Sequence, residues 1–324
     1  MSLRADVARS LEAGRGGLAS ALVSRAWGAT SRVARPLTFP RGTKVVAIGG
    51  ATLGGSGKTP LAVACAKELA RAGRSVALVG HAYGARPRYA RVVSSDDDVD
   101  VVGDEALACA RELDAAGIHV VIAPTRQAAI DLAATLAPVL VIDGVAQLRP
   151  IRAHMALLAL DGVRPWGAGE CPPRGDLRAS KPTLLAACDR VVRVGGAAPS
   201  LDGAFVLSDG ARLGSLLLTW KDLRPKRVGL WTALARPDRI LDRLRGAGIV
   251  PSVVAAHADH GRPSPTSTAR SIELARRAGV DLWLTTSKCA TRMREGLGGL
   301  PLAVLAYELS LGESLASALL RAVG

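Results

Sequence analysis

One stretch constrains this chain more than any other: GGATLGGSGKTPLAVACAKELARAG, residues 49–73. A short apolar, β-branched run, TKVVAIGG, leads into it. The segment PLAVACAKELARAG reads as a helix, with Pro60 in its first turn and Gly73 past its end. Strand, glycine loop, Lys-Thr and helix in that order describe a phosphate-binding loop. Glycine lets the backbone N–H groups of Gly54, Gly55, Ser56 and Gly57 approach phosphate oxygens closely. Lys58 is then placed to meet the β- and γ-phosphates. The Thr59 hydroxyl is placed to ligate Mg2+, and the helix N-terminus favours the anion. One position departs from the general pattern: Thr52 stands where a glycine is expected. The plain alternative is a chance glycine-rich turn after a strand.

The rest of the chain repeats the alternation of strand and helix. RSVALVGHAYG, IHVVIAP and APVLVIDG read as buried strands, and EALACARELDAAG and RQAAIDLAATL as helices. This rhythm predicts a parallel sheet covered on both faces. Near residue 200 it breaks. GAFVLSDGARLGSLLL looks like a hairpin around Asp209-Gly210. After Pro225 a second α/β series begins. The expected fold is a P-loop NTPase-like parallel α/β domain with a second, smaller α/β domain joined by a two-stranded linker. Its expected parts are a basic amphipathic N-terminal segment (1–35), the P-loop domain (36–200), the hairpin linker (201–222) and the C-terminal domain (223–324).

Composition narrows the partners. The chain has 324 residues, enough for two ordinary cores, and with 3% aromatics those cores must be built from Ala, Val and Leu. A net charge of +14 favours anionic partners, although a compositional bias toward Arg explains part of it. Nucleic acid is not the expected partner: there is no RNP, zinc or helix-turn-helix pattern, and there are few aromatics to stack bases. The five cysteines are scattered without a CxxC pair, which points to neither a zinc site nor a disulfide framework. No signal-peptide order and no apolar run near the ~20 residues of a membrane span is present. The expected location is cytoplasmic, with contact at a membrane surface left open. In residues 1–35, Leu11, Leu18 and Leu22 share one side of a helix with Val23 and Trp27 nearby, among several arginines. Such a segment fits an anionic bilayer surface, and equally a helix packed on its own domain.

Three acid or base positions accompany the loop. Asp104 and Glu105 open a helix; they are either a capping and dipole-complementing pair or carboxylates serving Mg2+ and proton transfer. Asp143 ends the strand APVLVIDG, either as an Asp-Gly turn or as the strand-end acid that meets Mg2+. His260, in AAHADHGRPSP, is either a solvated loop residue or one member of a proton relay.

Taken together and in this order, these segments resemble the tetraacyldisaccharide 4'-kinase family of lipid A biosynthesis. TLGGSGKTP at 52–60 is similar to the family's loop, including its threonine. HAYG at 81–84 is similar to RGYG, and GDE at 103–105 matches directly. PRGDLR at 173–178, TALARPDRIL at 232–241, Asp259-His260 and LTTSK at 284–288 resemble further family segments. The resemblance implies transfer of the ATP γ-phosphoryl group to the 4'-hydroxyl of a lipid A disaccharide 1-phosphate. It implies that Thr52, Leu53, Gly54, Gly55, Ser56, Gly57, Lys58 and Thr59 bind ATP, with Lys58 also catalytic. By the same likeness Asp104 is the base, supported by His260, and Thr59, Glu105 and Asp143 lie at the Mg2+ ion. It further implies peripheral attachment to the anionic cytoplasmic face of the inner membrane. The chain departs from the family at Ile142, Ser287 and Cys289, where the family carries acids, and at Gly80-His81, where it carries Ser-Arg. The alternative is therefore a catalytically degenerate nucleotide-binding scaffold derived from such a kinase.

Overall fold

The computed structural model describes residues 7, 10–11, 13–14, 17–30, 37–144, 153–195, 203–206, 210–234, 237–257, 263–293 and 296–324. Its contacts separate two compact units, Leu207–Tyr307 and, for the larger, Ala8–Val206 together with Glu308–Gly324.

The larger unit opens with helix α1 (Leu18–Thr30) and is built on a nine-stranded sheet. Its strands in chain order are β1 (Lys44–Gly50), β2 (Val76–Val79), β3 (Arg91–Val93), β4 (His119–Ile122), β5 (Val139–Asp143), β6 (Met155–Asp161), β7 (Arg190–Val194) and β8 (Ala204–Val206). The ninth is Leu309–Leu311, which returns from the chain end to pair antiparallel with β8. Helices α2 (Lys58–Arg71), α3 (Asp104–Leu113), α4 (Arg126–Leu136) and α5 (Lys181–Ala186) connect these strands.

Strand β1 shows why the run was continuously apolar rather than alternating. Val46 and Ile48 face one core with Leu61 and Leu69 of α2 and Leu107 of α3. Val45 and Ala47 face the opposite core with Ile130 and Ala133 of α4. A parallel strand buried on both faces has no polar side. Each fully buried Val or Ile contributes about 1.5–3 kcal/mol. β1 lies between β5 and β6, parallel to both. The strands that follow it first, β2 to β5, build one side of the sheet, and β6 to β8 the other. That reversal opens a crevice at the carboxyl ends of the strands, the usual ligand position in such sheets.

The smaller unit contains β9 (Gly210–Leu213), β10 (Leu216–Thr219), β11 (Val228–Thr232), helix α6 (Asp238–Gly246), β12 (Val253–Ala256), helix α7 (Pro265–Arg277), β13 (Leu282–Thr285) and β14 (Leu302–Leu305). β11 to β14 are parallel, and the β9–β10 hairpin closes one edge. Trp231 and Trp283 face one side of the sheet, and Leu230 and Leu284 the other. Gly229 is a glycine because the Trp283 ring occupies the place of a side chain there.

Two sequence expectations change. The hairpin does not turn at Asp209-Gly210. Its strands pair across Gly214-Ser215, where Gly214 takes a left-handed φ of 59°. Gly210 is instead a ladder residue against the Leu218 carbonyl, with no room for a Cβ; Asp209 lies outside the described residues. The second domain also does not run to residue 324. Leu315, Leu319 and Val323 of the helix Glu313–Val323 pack into the core of the larger unit beside α2. A three-residue strand and an amphipathic helix carry no local mark of which core they join.

Candidate active site

The candidate phosphate loop is fixed by its own glycines and by a second segment laid against it. Gly55 and Gly57 have φ of 69° and 79°, left-handed values that favour glycine. Gly50 cannot carry a side chain because one would collide with Ser56 Oγ. Gly57 is the N-cap of α2, and no side chain caps this helix start. Its first N–H groups are therefore available to an anion. Thr52 is 1% exposed, and its hydroxyl donates to the Gly54 carbonyl at 2.7 Å. The threonine is an internal strut of the loop, which explains why the position need not be glycine. The Leu53 amide is engaged with the Asp176 carbonyl at 2.8 Å. Thr52 and Leu53 thus shape the loop from within.

The bracing segment is Asp176–Arg178. Thr52 and Leu177 form an antiparallel bridge. Arg178 donates from its amide to the Ala51 carbonyl at 2.9 Å, from Nε to the Thr52 carbonyl at 2.9 Å and from Nη2 to the Leu53 carbonyl at 3.2 Å. Burial lowers the pKa of its guanidinium, and Asp143 and Glu105 oppose that.

Asp143 is the last residue of β5 and sits opposite Ile48 of β1. Its Oδ2 accepts a 2.6 Å hydrogen bond from the Thr59 hydroxyl. Its Oδ1 is buried without a hydrogen-bond partner. Gly144 follows with a φ of 85°. The residue is thus both the head of an Asp-Gly turn and a carboxylate aimed at the loop. Such an orphaned carboxylate oxygen calls for a partner.

Asp104 is 2% exposed and is the first residue of α3, with Gly103 as N-cap. It is not itself the cap. A Cβ on Gly103 would stand 3.2 Å from the Tyr83 carbonyl, so the GDE turn lies directly against the HAYG loop. Glu105 is close enough to influence His81, Cys109 and Arg178, as Asp143 also is. The charges of Lys58, Glu105 and Asp143 therefore meet in one region. His260 and its neighbour Asp259 lie outside the described residues.

Two groups in this region were given no functional role from sequence. Arg126 opens α4 and donates from Nη1 to the Gly80 carbonyl at 2.5 Å. Burial lowers its pKa, and Asp143 opposes that. An arginine in the first turn of a helix runs against the dipole, and that was the available signal. His81 shares the space over Gly144 with Arg126. Burial pushes His81 below its ordinary pKa, helped by Arg126 and Lys58 and opposed by Asp143 and Glu105. Burial pushes the Cys109 thiol well up, so it is no nucleophile here.

The model of one family, LpxK, tetraacyldisaccharide-1-P 4'-kinase, matches residues 16–324. The chain belongs to the tetraacyldisaccharide 4'-kinase family. A tetraacyldisaccharide 4'-kinase of Anaeromyxobacter sp. (strain K) is 33% identical over 285 residues, covering 79% of this chain and 74% of that one. One from Dichelobacter nodosus is 28% identical over 286 residues, covering 85% and 83%. The crystal structure of LpxK from Aquifex aeolicus, described as an "apo" form in complex with ATP, matches with a TM-score of 0.66 at 17% identity over all of both chains. That likeness shows a shared fold. Two departures from the family pattern are absorbed by packing. Ile142 is fully buried between Ala47 and Val79, and Cys289 Sγ accepts from the Ala233 amide at 3.3 Å.

Proposed function

We propose that this tetraacyldisaccharide 4'-kinase family member transfers the γ-phosphoryl group of ATP to the 4'-hydroxyl of a tetraacyldisaccharide 1-phosphate, and that it does so at the phosphate loop. The observation that carries this reading is the Thr59–Asp143 hydrogen bond, with the second Asp143 oxygen buried and unpartnered at the uncapped start of α2. Such transfer is chiefly positioning and charge neutralisation. The loop amides and Lys58 hold the β- and γ-phosphates. Asp104 takes the proton of the attacking 4'-hydroxyl. The new bond joins that oxygen to the γ-phosphorus, and the bond to the ADP oxygen breaks.

The donor set fits Mg2+. The Thr59 hydroxyl and the Asp143 carboxylate are hard oxygen ligands, and Glu105 adds a charge nearby. Among the described residues no cluster of three or more His, Cys, Asp or Glu is arranged to hold a metal. This suits an ion that takes most of its ligands from nucleotide phosphates and water. When bound, Mg2+ supplies neutralisation of the phosphate charge.

Attachment to the anionic cytoplasmic face of the inner membrane belongs to the same proposal. On α1, Leu18, Leu22, Val23 and Trp27 are 89%, 67%, 54% and 48% exposed. The Ser24 hydroxyl, on another side, donates to the Cys171 carbonyl at 2.6 Å. One side of the helix is tied down and another presents apolar surface, as an interfacial helix does. Among the described residues no helix is long and apolar enough to cross a membrane.

The test is γ-phosphoryl transfer from labelled ATP to disaccharide 1-phosphate in mixed micelles. Transfer by the native protein that is lost in Lys58→Ala supports the reading. ATP binding without transfer by the native protein would leave the degenerate scaffold.

A further inference from the structure

At the start of the glycine loop, the carbonyls of successive residues from Ala51 to Gly54 each have a fixed donor. Arg178 supplies three of them: its amide to Ala51 at 2.9 Å, its Nε to Thr52 at 2.9 Å and its Nη2 to Leu53 at 3.2 Å. The Thr52 hydroxyl supplies the donor to Gly54 at 2.7 Å. Across a planar trans peptide the N–H points opposite to the C=O. Holding the Leu53 carbonyl toward Arg178 therefore turns the Gly54 amide away from it. Gly54 itself meets no neighbouring atom that would stop rotation, since a Cβ there would find nothing within 4 Å. A glycine in open space has the widest choice of φ and ψ. Its orientation is thus set by the bonds to the carbonyls and not by packing.

Arg178 is held in place for this task. Leu177 beside it is 1% exposed and packs with Ala51, Leu158 and Leu160. Asp176 accepts the Leu53 amide on its carbonyl at 2.8 Å. The Asp176 side chain is buried, and its Oδ1 accepts from the Ala168 amide at 2.9 Å. That carboxylate fills the space where Gly167 would carry a Cβ. The turn at 167–168 and the segment 176–178 thus form one clip on the loop. A guanidinium suits the clip because its planar fork donates to two carbonyls at once; an ammonium has the charge without the fork.

We infer that Arg178 is a positioning residue for the nucleotide, which sets the peptide planes from Ala51 to Gly54 before the nucleotide arrives and so decides how strongly the loop prefers a triphosphate to a monophosphate. The inference rests on the proposed nucleotide-binding reading of the loop and adds the residue that preorganises it. Order fixed in the free protein is entropy that binding does not have to supply.

The experiment measures affinities for ATP and for AMP with native protein, Arg178→Lys and Arg178→Ala, the last with and without added methylguanidinium. Thermal unfolding without nucleotide is measured on each. Both variants are expected to bind ATP about tenfold more weakly, as loss of a charged hydrogen bond does, with AMP affinity within about twofold of native. Arg178→Lys keeps the charge and is expected to fail like Arg178→Ala. Methylguanidinium is expected to restore part of the ATP affinity to Arg178→Ala and to leave the native protein unchanged. An unaltered ratio of ATP to AMP affinity overturns the inference. Equal loss of both affinities with a lower unfolding temperature and no rescue also overturns it, because that is a general structural role. A measurement on the native chain covers the case of variants that do not fold. Without nucleotide, the 15N order parameter of the Gly54 amide is expected near about 0.85, and a value below about 0.6 overturns the inference. Native protein that binds neither nucleotide overturns the kinase reading instead, whatever the order parameter.

Discussion

The Thr59 hydroxyl donates to Asp143 Oδ2 at 2.6 Å and leaves Asp143 Oδ1 buried without a partner. The bond joins the first turn of α2 to the end of β5 and sets a hydroxyl and a carboxylate side by side next to the glycine loop. Removing either group therefore harms nucleotide use more than folding. Asp143→Asn and Thr59→Ala are each expected to lower transfer roughly a hundredfold or more, in the range seen when one preorganised charge-stabilising group is lost. The dependence of rate on Mg2+ concentration should weaken in both. Steady-state kinetics across a Mg2+ titration checks this, and an unchanged Mg2+ dependence would argue against a shared cation site.

Gly57 is the position where the loop tolerates least. Its φ is 79°, and a Cβ there would stand 2.5 Å from Val194 Cγ1. Gly57→Ala should cost about 1–3 kcal/mol of stability from the strained backbone alone. It should also weaken ATP binding, because the clash moves the N-cap of α2. Thermal unfolding with and without ATP measures both effects. By contrast, Gly54→Ala meets no neighbouring atom within 4 Å in the folded chain. It should leave unliganded stability within about 0.5 kcal/mol.

How far the sequence disclosed this site depends on the range of the contacts involved. The loop was legible because its strand, glycines and helix are contiguous. Asp143 was legible as an acid ending a buried strand, but its bond to Thr59 spans 84 residues of chain and has no local mark. Arg126, His81 and Arg178 gather around the loop only after the sheet forms, so nothing local marks them as a group. The hairpin was misplaced because Asp-Gly is the stronger turn signal, whereas pairing partners fixed the turn at Gly214-Ser215. The return of Glu308–Gly324 to the larger unit is likewise a matter of which core is free to receive it.

His257 supplies a pH dependence within the smaller unit. Its Nε2 is buried without a hydrogen-bond partner, and its ring lies 5.0 Å from that of Trp231. Burial lowers its pKa below the ordinary value. The unfolded chain therefore takes up this proton first as pH falls. The contribution of neutral His257 to stability is fully present above about pH 6.5 and is lost as pH falls through the lowered folded value. Chemical denaturation of the native chain should show this loss as pH falls below about 6.5, and His257→Phe should flatten that part of the profile. An identical slope in both would exclude the histidine as its source.

The exposed side of α1 predicts a separation of binding from folding. Leu18→Asp/Leu22→Asp should leave thermal stability nearly unchanged, since both side chains already face solvent. Sedimentation with phosphatidylglycerol-containing vesicles should fall roughly tenfold or more, from the lost apolar burial and the added negative charge. Vesicle binding equal to that of the native chain would remove α1 as the membrane contact.

The account turns on Asp104 as the group that accepts the proton of the attacking hydroxyl. The most direct test is single-turnover transfer from labelled ATP by Asp104→Asn, with ATP affinity measured on the same preparation. Affinity within about twofold of native and transfer reduced by roughly 10²–10⁴-fold is the predicted result, as expected for loss of a general base. Transfer at the native rate with ATP bound normally would contradict the account.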